Sequence, residues 1–250
     1  MYNYKIKIQY DGGRYEGWQR IGKDFSANTV ENKIITVIEK MAGEKIELPC
    51  GCRTETGVHA LEQVANFKLS QKREKTDIKN YLNRYLPRDI AVLSVEQVDE
   101  RFHSQLNAKS KTYMYVLDMG NVADVFKRKY SYHTFHRLNI EAMQKASHFF
   151  VGEHDFKAFT TAKKNKSTVR NVEAININVQ GNQAVIEMTA NDFMHNMARY
   201  IIGMLLDVGN EIRKPEIVND VFANKEVTMS FPAESYGLFL KNIMYFLVSL

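Results

Sequence analysis

The alternation of apolar and polar residues at the start of the chain predicts a β-strand over residues 2–10. Every second residue from Tyr4 to Tyr10 is apolar, which is typical of a strand with one buried face. The turn residues Asp11-Gly12-Gly13 follow. Between Asn28 and Gly43 the apolar residues recur at spacings of three and four, so we expect a helix there.

The remainder of the first half continues the same alternation of elements. Residues 64–69 predict a second strand, and residues 76–86 predict a helix that Pro87 ends. Residues 89–98 predict a third strand. The first half is therefore expected to run strand, helix, strand, helix, strand.

The second half is predicted to open with a strand over residues 112–117 and a helix over residues 140–151. Residues 173–179 and 184–188 then alternate on either side of Gly181-Asn182, which predicts a β-hairpin. This is the strongest hairpin signal in the chain.

The last third of the chain predicts a long helix capped by Asn191-Asp192. Its apolar residues run from Met194 to Ile212. A short helix near 215–223 and a strand over 238–248 complete the pattern.

Both halves mix strands with helices, which indicates an α+β fold with two layers. The polar stretch at Asn107–Ser110 marks the predicted boundary, with an N-terminal half over 1–108 and a C-terminal half over 109–250. We expect two RRM-like or ferredoxin-like halves that form a continuous, mostly antiparallel sheet. Helices would cover one face, and a central cleft would hold the site.

Composition narrows the class of protein. The 250 residues carry a formal net charge of +5, which permits a polyanionic partner without requiring one. Two cysteines exclude a disulfide scaffold and fit a reducing compartment. The N-terminal strand pattern is unlike a signal peptide, and the apolar stretch Tyr200–Leu206 is too short to span a bilayer. We therefore expect a cytoplasmic protein that does not bind a membrane.

The segment Arg53–Ala60 carries the candidate chemistry. It places a cation, a carboxylate, hydroxyls and an imidazole within eight positions, between a predicted helix and a predicted strand. Such a segment is either an ordinary connecting loop with an exposed Arg–Glu pair or a reactive site on a rigid scaffold.

Several short motifs follow one another along nearly the whole chain. They are Tyr10-Asp11-Gly12, Tyr15-Glu16-Gly17-Trp18-Gln19, Arg53–Ala60, Pro87–Ile90, Phe102-His103, Gly152–Phe156, Arg170-Asn171-Val172, Phe193–Arg199, Phe231–Glu234 and Gly237–Leu240. In this order they resemble the TruA family of tRNA pseudouridine synthases, and so many ordered matches make chance implausible.

The resemblance implies isomerisation of uridine to pseudouridine in the anticodon arm of tRNA, with no cofactor and no metal. It also implies a homodimer in which one tRNA spans both subunits. By the same resemblance, Glu55 takes the place of the family's catalytic Asp and Arg199 pairs with it, while Tyr113 stacks on the uracil. The target base must leave its stack before a carboxylate can act on it.

The chain departs from the family at Glu55, because the family has Asp there, and at Thr56, which replaces an Ala. The pKa values of Asp and Glu side chains are similar, but the extra methylene moves the carboxylate by roughly 1.5 Å. A misplacement of about 1 Å can cost about 100-fold in rate. Three hypotheses remain open: Glu55 works in a reshaped pocket, the protein binds tRNA without chemistry, or its substrate or reaction has changed.

Basic and polar residues near these motifs are predicted to bind RNA. The set is Arg53, Thr54, His59, Gln19, Arg20, His103, Lys163, Lys164, Lys166, Arg170 and His195. Lys127-Arg128-Lys129 with Tyr130, Tyr132 and Phe135 offers a second combination of cations and aromatic rings. Phosphate neutralisation and base stacking need these residue types, although either group could instead be a solvated loop.

A zinc deaminase is the rival interpretation of Pro49-Cys50-Gly51-Cys52 and His59. That site needs H-x-E and P-C-x-x-C, whereas this chain has H-x-x-E and P-C-x-C in reversed order. Two thiols and one imidazole also leave a metal short of ligands. The sequence therefore favours two small, partly buried thiols and no metal.

Overall fold

The computed structural model describes residues 1–19, 27–161 and 167–246. The chain forms two compact units. The first contains Met1–Lys109 and the chain from Phe239 onward, and the second contains Ser110–Leu238.

Nine strands and five α-helices occur in the described residues. In chain order the strands are β1 (Tyr2–Tyr10), β2 (His59–Leu69), β3 (Ile90–Val98), β4 (Ala108–Asp118), β5 (Tyr132–His133), β6 (Gly152–Asp155), β7 (Val169–Gln180), β8 (Gln183–Ala190) and β9 (Leu238–Tyr245). The helices are α1 (Val30–Ala42), α2 (Lys75–Tyr85), α3 (Ile140–His148), α4 (Met197–Gly209) and α5 (Ile217–Phe222).

The sheet of the first unit has the strand order β3–β1–β2–β9. Its central strand β1 is antiparallel to both β2 and β3, and β9 runs parallel to β2. The alternating residues Tyr4, Ile6 and Ile8 of β1 are fully buried. The apolar residues that alternate in the sequence of β1 are therefore the residues that this strand contributes to the core of the unit.

Helix α1 forms where its periodicity predicts it, and its ends show why. The hydroxyl of Thr29 accepts a hydrogen bond from Asn32 N at 3.3 Å, which satisfies one of the unpaired donors of the first turn. Gly43 ends the helix in the left-handed conformation. The capping residue is therefore Thr29, one position after Asn28, where the predicted helical stretch starts.

The sheet of the second unit has the order β4–β8–β7–β6, with the short β5 parallel to β4. β7 and β8 form the predicted hairpin, in which Gln180 pairs with Gln183 across the turn Gly181-Asn182. The residues of β8 that face inward, Ala184, Ile186 and Met188, are fully buried. The antiparallel pairing and the turn were both predicted correctly.

The start predicted for the long helix is wrong. Helix α4 begins at Met197, because Asn191 and Asp192 are used elsewhere. Asn191 Oδ1 accepts from Asn171 N at 3.1 Å, and the Asp192 carboxylate pairs with the ammonium group of Lys111. The predicted apolar stripe is also too long, because Ile212 lies beyond the end of the helix and is 69% exposed.

The α+β class is confirmed, with mostly antiparallel pairing inside each unit. The chain changes unit between Lys109 and Ser110, and it returns to the first unit at Phe239. The predicted C-terminal half, 109–250, instead includes this last strand. A continuous sheet and a central cleft would depend on how the two units are placed relative to each other, so both stay predictions.

Among the residues that the structure describes, no helix combines the length and the apolar character needed to cross a membrane.

The burial of Ile6 in β1 predicts a large effect of truncation on stability. Ile6→Ala should lower the free energy of unfolding by about 2–5 kcal/mol, because a buried side chain is replaced by a cavity. Gln9→Ala in the same strand is the matched control, since Gln9 is exposed and its truncation should cost less than about 0.5 kcal/mol. Urea unfolding measures both, and equal effects would contradict the assigned register.

Candidate functional site

The segment around Glu55 forms a β-turn. Val58 N donates to Glu55 O at 3.1 Å, and Gly57 has a φ of +79° at the third position of the turn. A positive φ at this position favours glycine. Gly57 therefore fixes the path of the backbone that carries the Glu55 side chain, which is partly exposed.

Buried hydrogen bonds hold this turn to the sheet. The hydroxyl groups of Tyr10 and Thr54 are 2.8 Å apart, and Gln63 Nε2 donates to Cys52 O at 2.5 Å. Gln63 Nε2 also lies 3.5 Å from the Tyr10 hydroxyl. Burial raises the pKa of Tyr10 well above its usual range, which keeps its hydroxyl protonated as a donor. The residue before Glu55 is thus fixed by its side chain.

The opening motif packs its backbone along the same turn. Trp18 N donates to Thr54 O at 3.0 Å, and Gly57 N donates to Tyr15 O at 3.3 Å. Glu31 N, in the first turn of α1, donates to Trp18 O at 3.0 Å. The two motifs that are far apart in sequence therefore form one substructure of the first unit.

Arg53 projects from this substructure as an exposed cation with a carboxylate nearby. Burial raises the pKa of Glu31, while the charge of Arg53 and a hydrogen bond from Gln19 oppose that rise. Gln19 and Arg53 therefore share Glu31 as a partner. No local pattern singles out Glu31 in the sequence, because its role depends on how α1 meets the loop.

His59 lies inside the first unit. It is 1% exposed, and its ring stacks on Phe239 at a centroid distance of 4.7 Å. Its Nδ1 lies 3.1 Å from Gly12 N and 3.0 Å from Asp11 Oδ1. Thr54, at 4% exposed, is also buried. These two predicted RNA-binding residues are thus placed behind the turn, where they support it.

In the second unit, Tyr113 lies in β4 and is buried. Its ring and the ring of Phe193 pack edge to face at a centroid distance of 5.1 Å. Such edge-to-face contacts fix the orientation of both rings. The Tyr113 ring is therefore held in one plane by a neighbour from the segment that precedes α4.

Arg199, in the first turn of α4, is held by a residue before the helix and a residue after it. Its Nε donates to Ala233 O at 2.6 Å, and its Nη1 donates to Asn196 Oδ1 at 3.1 Å. Ala233 N in turn donates to Arg199 O at 2.9 Å. Among the described residues, Nη2 remains available for a ligand or a carboxylate.

The helix that carries Arg199 does not include His195, contrary to the prediction. Asn196 takes a left-handed conformation with a φ of +61° directly before the helix, so His195 lies in the turn. The His195 Nδ1 lies 2.5 Å from the hydroxyl of Thr161. Asn196 Nδ2 donates to the same hydroxyl at 3.1 Å. His195 therefore contacts Thr161, at the end of the described residues that precede Lys163 in the sequence.

Two other predicted RNA-binding residues have local structural partners. His103 Nδ1 accepts from Gln105 N at 3.2 Å in a turn of the first unit. Arg170 Nη1 donates to the carbonyl oxygens of Ser167 and Val169 in the second unit. The remaining predicted residues, Arg20, Lys163, Lys164 and Lys166, lie outside the described residues.

The cysteines show no arrangement for a metal. Cys50 and Cys52 are both buried, and Cys50 Sγ donates to Cys52 O at 3.4 Å. Over residues 1–19, 27–161 and 167–246, no three His, Cys, Asp or Glu side chains could jointly hold a metal ion.

Within the first unit, the structure brings Gln19, Arg53, Thr54 and His59 together with Glu55. Tyr113, Arg170, His195 and Arg199 belong to the second unit. Two supporting residues, Gln63 and Asn196, were not predicted. No local pattern singles out Gln63, because Glu62, Asn66 and Lys68 of β2 are also polar, whereas Asn196 lies within the quoted motif Phe193–Arg199.

The hydrogen bond of Thr54 predicts a difference between two threonines of one turn. Thr54→Val should lower the free energy of unfolding by about 1–3 kcal/mol, because the buried Tyr10 hydroxyl loses its closest partner. Thr56→Val is the control, because Thr56 is exposed and should change stability by less than about 0.5 kcal/mol. Denaturant unfolding reports both changes. A neutral Thr54→Val variant would show that the hydroxyl pair does not hold the turn.

Comparison of the sequence with known proteins shows which family the chain belongs to. The family model described as tRNA pseudouridine synthase matches residues 6–106 and 146–245. A tRNA pseudouridine synthase A from a Bacillus species is 46% identical over 248 residues, which cover 98% of this chain and 100% of the relative. Similar proteins from Bacillus cereus, named synthase A 2, and from Clostridium tetani, named synthase A 1, are 43% and 42% identical, again over 98% of this chain and 100% of each relative.

A chain in a crystal structure of a Cbf5-Nop10-Gar1 complex is a more distant neighbour. It aligns with a TM-score of 0.37 and 13% identity, over 81% of this chain and 45% of that chain. The assignment rests on the family model, which matches two long segments of the chain, and on the relatives, which match it over nearly its full length. The chain belongs to the tRNA pseudouridine synthase family.

Proposed function

We propose that this protein isomerises uridine to pseudouridine in the anticodon arm of tRNA, with Glu55 as its catalytic carboxylate. The names of the full-length relatives support the reaction and the class of substrate. The resemblance of the ordered motifs supports the anticodon arm and the role of Glu55.

The reaction needs positioned groups and no net redox change. The bond between N1 and the ribose C1′ breaks, and a bond between C5 and C1′ forms. C5 loses its proton, and N1 gains one, so the product is an isomer of the substrate. A carboxylate, a proton acceptor and a group that orients the base are sufficient for these steps.

The fixed turn around Glu55 is the observation that carries the proposal. Glu55 lies on a backbone set by Gly57, and its preceding residue is bound to Tyr10 and Trp18. A carboxylate that is held before the substrate arrives loses little freedom on reaction. This arrangement provides either a nucleophile toward the sugar or a partner for the base.

Arg199 and Tyr113 complete the proposed catalytic set. The Arg199 guanidinium is oriented by Asn196 and Ala233, so its remaining nitrogen can pair with a carboxylate or a phosphate. Tyr113 packs against Phe193, and an aromatic ring is the side chain type that stacks on an extruded base. We assign Tyr113 the stacking role and the acceptance of the C5 proton.

A tRNA-binding protein without catalytic activity is the alternative that the Glu55 substitution raises. The relatives favour the synthase, since those that match over their whole length are named as synthases. In addition, Arg53, Tyr113 and Arg199 accompany the carboxylate in this chain.

Release of tritium from C5 of uridine in tRNA tests the role of Glu55. The wild-type protein should release the label, and Glu55→Gln should release it at least about 100-fold more slowly, because the carboxylate charge is lost while the shape is kept. Glu55→Asp should also be slower than wild type, since the shorter arm retracts the carboxylate by roughly 1.5 Å.

Binding of tRNA by the same variants is the control, and Glu55→Gln should bind within about threefold of wild type. No release by the wild type together with release by Glu55→Asp would show that the Glu residue had disabled the site. Equal release by wild type and Glu55→Gln would show that another group performs the chemistry.

We also propose that the lysine and arginine residues predicted to bind RNA contact the tRNA phosphates, and we expect a cytoplasmic homodimer. The charge of +5 on each chain supports the first, because two chains would double it. The family resemblance supports the dimer.

The affinity for tRNA should therefore fall by at least about tenfold between 50 and 200 mM salt, because several cations replace condensed counterions. A filter-binding titration at constant pH measures this slope. A Kd that does not change with salt would contradict phosphate binding by these residues.

A further inference from the structure

Phe231 is the most exposed aromatic side chain in the part of the chain that the structure describes. It is 91% exposed, whereas the core rings Phe150, Phe156 and Phe159 are fully buried. Exposure of one apolar residue is common and does not by itself indicate a function. The backbone that presents this ring distinguishes it from an ordinary surface residue.

The segment Thr228–Ala233 is bound to the rest of the second unit at nearly every second residue. Arg213 Nη2 donates to Thr228 O at 2.7 Å, and the Ser230 hydroxyl donates to Asp207 Oδ2 at 2.6 Å. Asp207 also pairs with Arg213 Nε at 3.0 Å. The first half of the segment is therefore anchored to the C-terminal part of α4.

The second half of the segment lies directly on α4. The carbonyl group of Phe231 approaches Gly203 so closely that a Cβ atom at this position would collide with the backbone. Ala233 exchanges two hydrogen bonds with Arg199, one from its amide and one to its carbonyl. Pro232 restricts the backbone of Phe231 to extended conformations. The exposed ring is thus carried by a backbone that is fixed to α4 on both sides.

The backbone of Phe231 lies close to the backbone that holds the proposed catalytic arginine. Phe231 is two residues from Ala233, a chain distance of at most about 7 Å, and Ala233 orients the Arg199 guanidinium. An exposed aromatic ring on a fixed backbone, in a segment that also orients a cation, is a combination with which proteins bind unpaired nucleobases.

We propose that Phe231 is a stacking platform for an unpaired base of the RNA, next to the nucleotide that Arg199 contacts. This inference rests on the proposed function, because it takes RNA as the ligand. A flipped nucleotide leaves its neighbours without a stacking partner, and an aromatic ring at this place replaces that partner. Phe231 thus contributes to binding and not to the bond changes.

Substitutions that separate ring stacking from hydrophobic burial test the proposal. Phe231→Leu should raise the Kd for a tRNA transcript by about tenfold, because an apolar side chain of similar volume cannot stack. Phe231→Tyr and Phe231→Trp should bind within about twofold of wild type. In tritium-release assays, Phe231→Leu should raise KM by the same factor and change kcat by less than about threefold.

Phe231→Trp also provides a spectroscopic readout, because the single tryptophan of the wild type, Trp18, is fully buried. The fluorescence of the new indole should be quenched when an RNA hairpin with an unpaired loop is added. A fully paired RNA duplex of equal length should quench it far less. Ile212→Trp is the matched control, since Ile212 is exposed beyond the opposite end of α4 and should not respond.

The outcomes separate this inference from the proposed function. Wild-type affinity in Phe231→Leu, or equal quenching of the indoles in the Phe231→Trp and Ile212→Trp variants, would overturn the stacking platform while label release by the wild type stood. Quenching and loss of affinity without any label release would support the platform and refute the isomerase. Concentration-dependent shielding of the indole without RNA would show a contact between two copies of the chain, which also overturns the platform.

Discussion

The hydrogen bond between the hydroxyl groups of Tyr10 and Thr54 connects the end of β1 to the turn that carries Glu55. Both groups are buried, so removing either hydroxyl would leave the other without its partner and would destabilise the folded protein. The hydrogen bond therefore fixes the turn to the sheet. Without it, the turn would be a surface loop with fewer contacts to the sheet. Gln63 adds a second contact from β2, so two neighbouring strands determine where the carboxylate begins.

In the second unit, the proposed catalytic side chain is also held in place, but by hydrogen bonds at the end of a helix. Arg199 is oriented by the backbone of Ala233 and by Asn196, whose left-handed conformation ends the preceding turn and starts α4. The same hydrogen bonds fasten the segment that carries Phe231. A single helix end thus positions both the proposed catalytic cation and the backbone that carries the proposed stacking ring.

Much of the fold could be predicted because the core residues follow simple periods. The alternation in β1 and the hairpin of β7 and β8 indicated both the elements and their pairing. Prediction failed where a polar side chain could form hydrogen bonds or ion pairs with several different partners. Asn191 and Asp192 have the residue types of a helix cap, but a strand residue and the buried Lys111 bind them instead. The return of β9 to β2 joins residues far apart in sequence, and no local pattern records it.

The candidate site shows the same division. The residue types in Arg53–Ala60 indicated chemistry, and the ordered motifs identified the family, but the supports of the turn depended on tertiary contacts. Thr54 and His59 were expected to face RNA because of their neighbours in sequence, and the structure buries both side chains. Burial is decided by what packs against a loop, and the sequence of the loop does not contain that information.

The proposed chemistry depends on a turn that is rigid before RNA binds. Amide hydrogen exchange in the free protein tests this most directly, at Trp18, which donates to Thr54 O, and at Val58, which closes the turn on Glu55. Both amides should exchange at least about 100-fold more slowly than in an unfolded peptide, because they open only with the surrounding structure. Exchange at the rate of an unfolded peptide at both positions would show that the carboxylate is not held in place, and would contradict the role proposed for the turn.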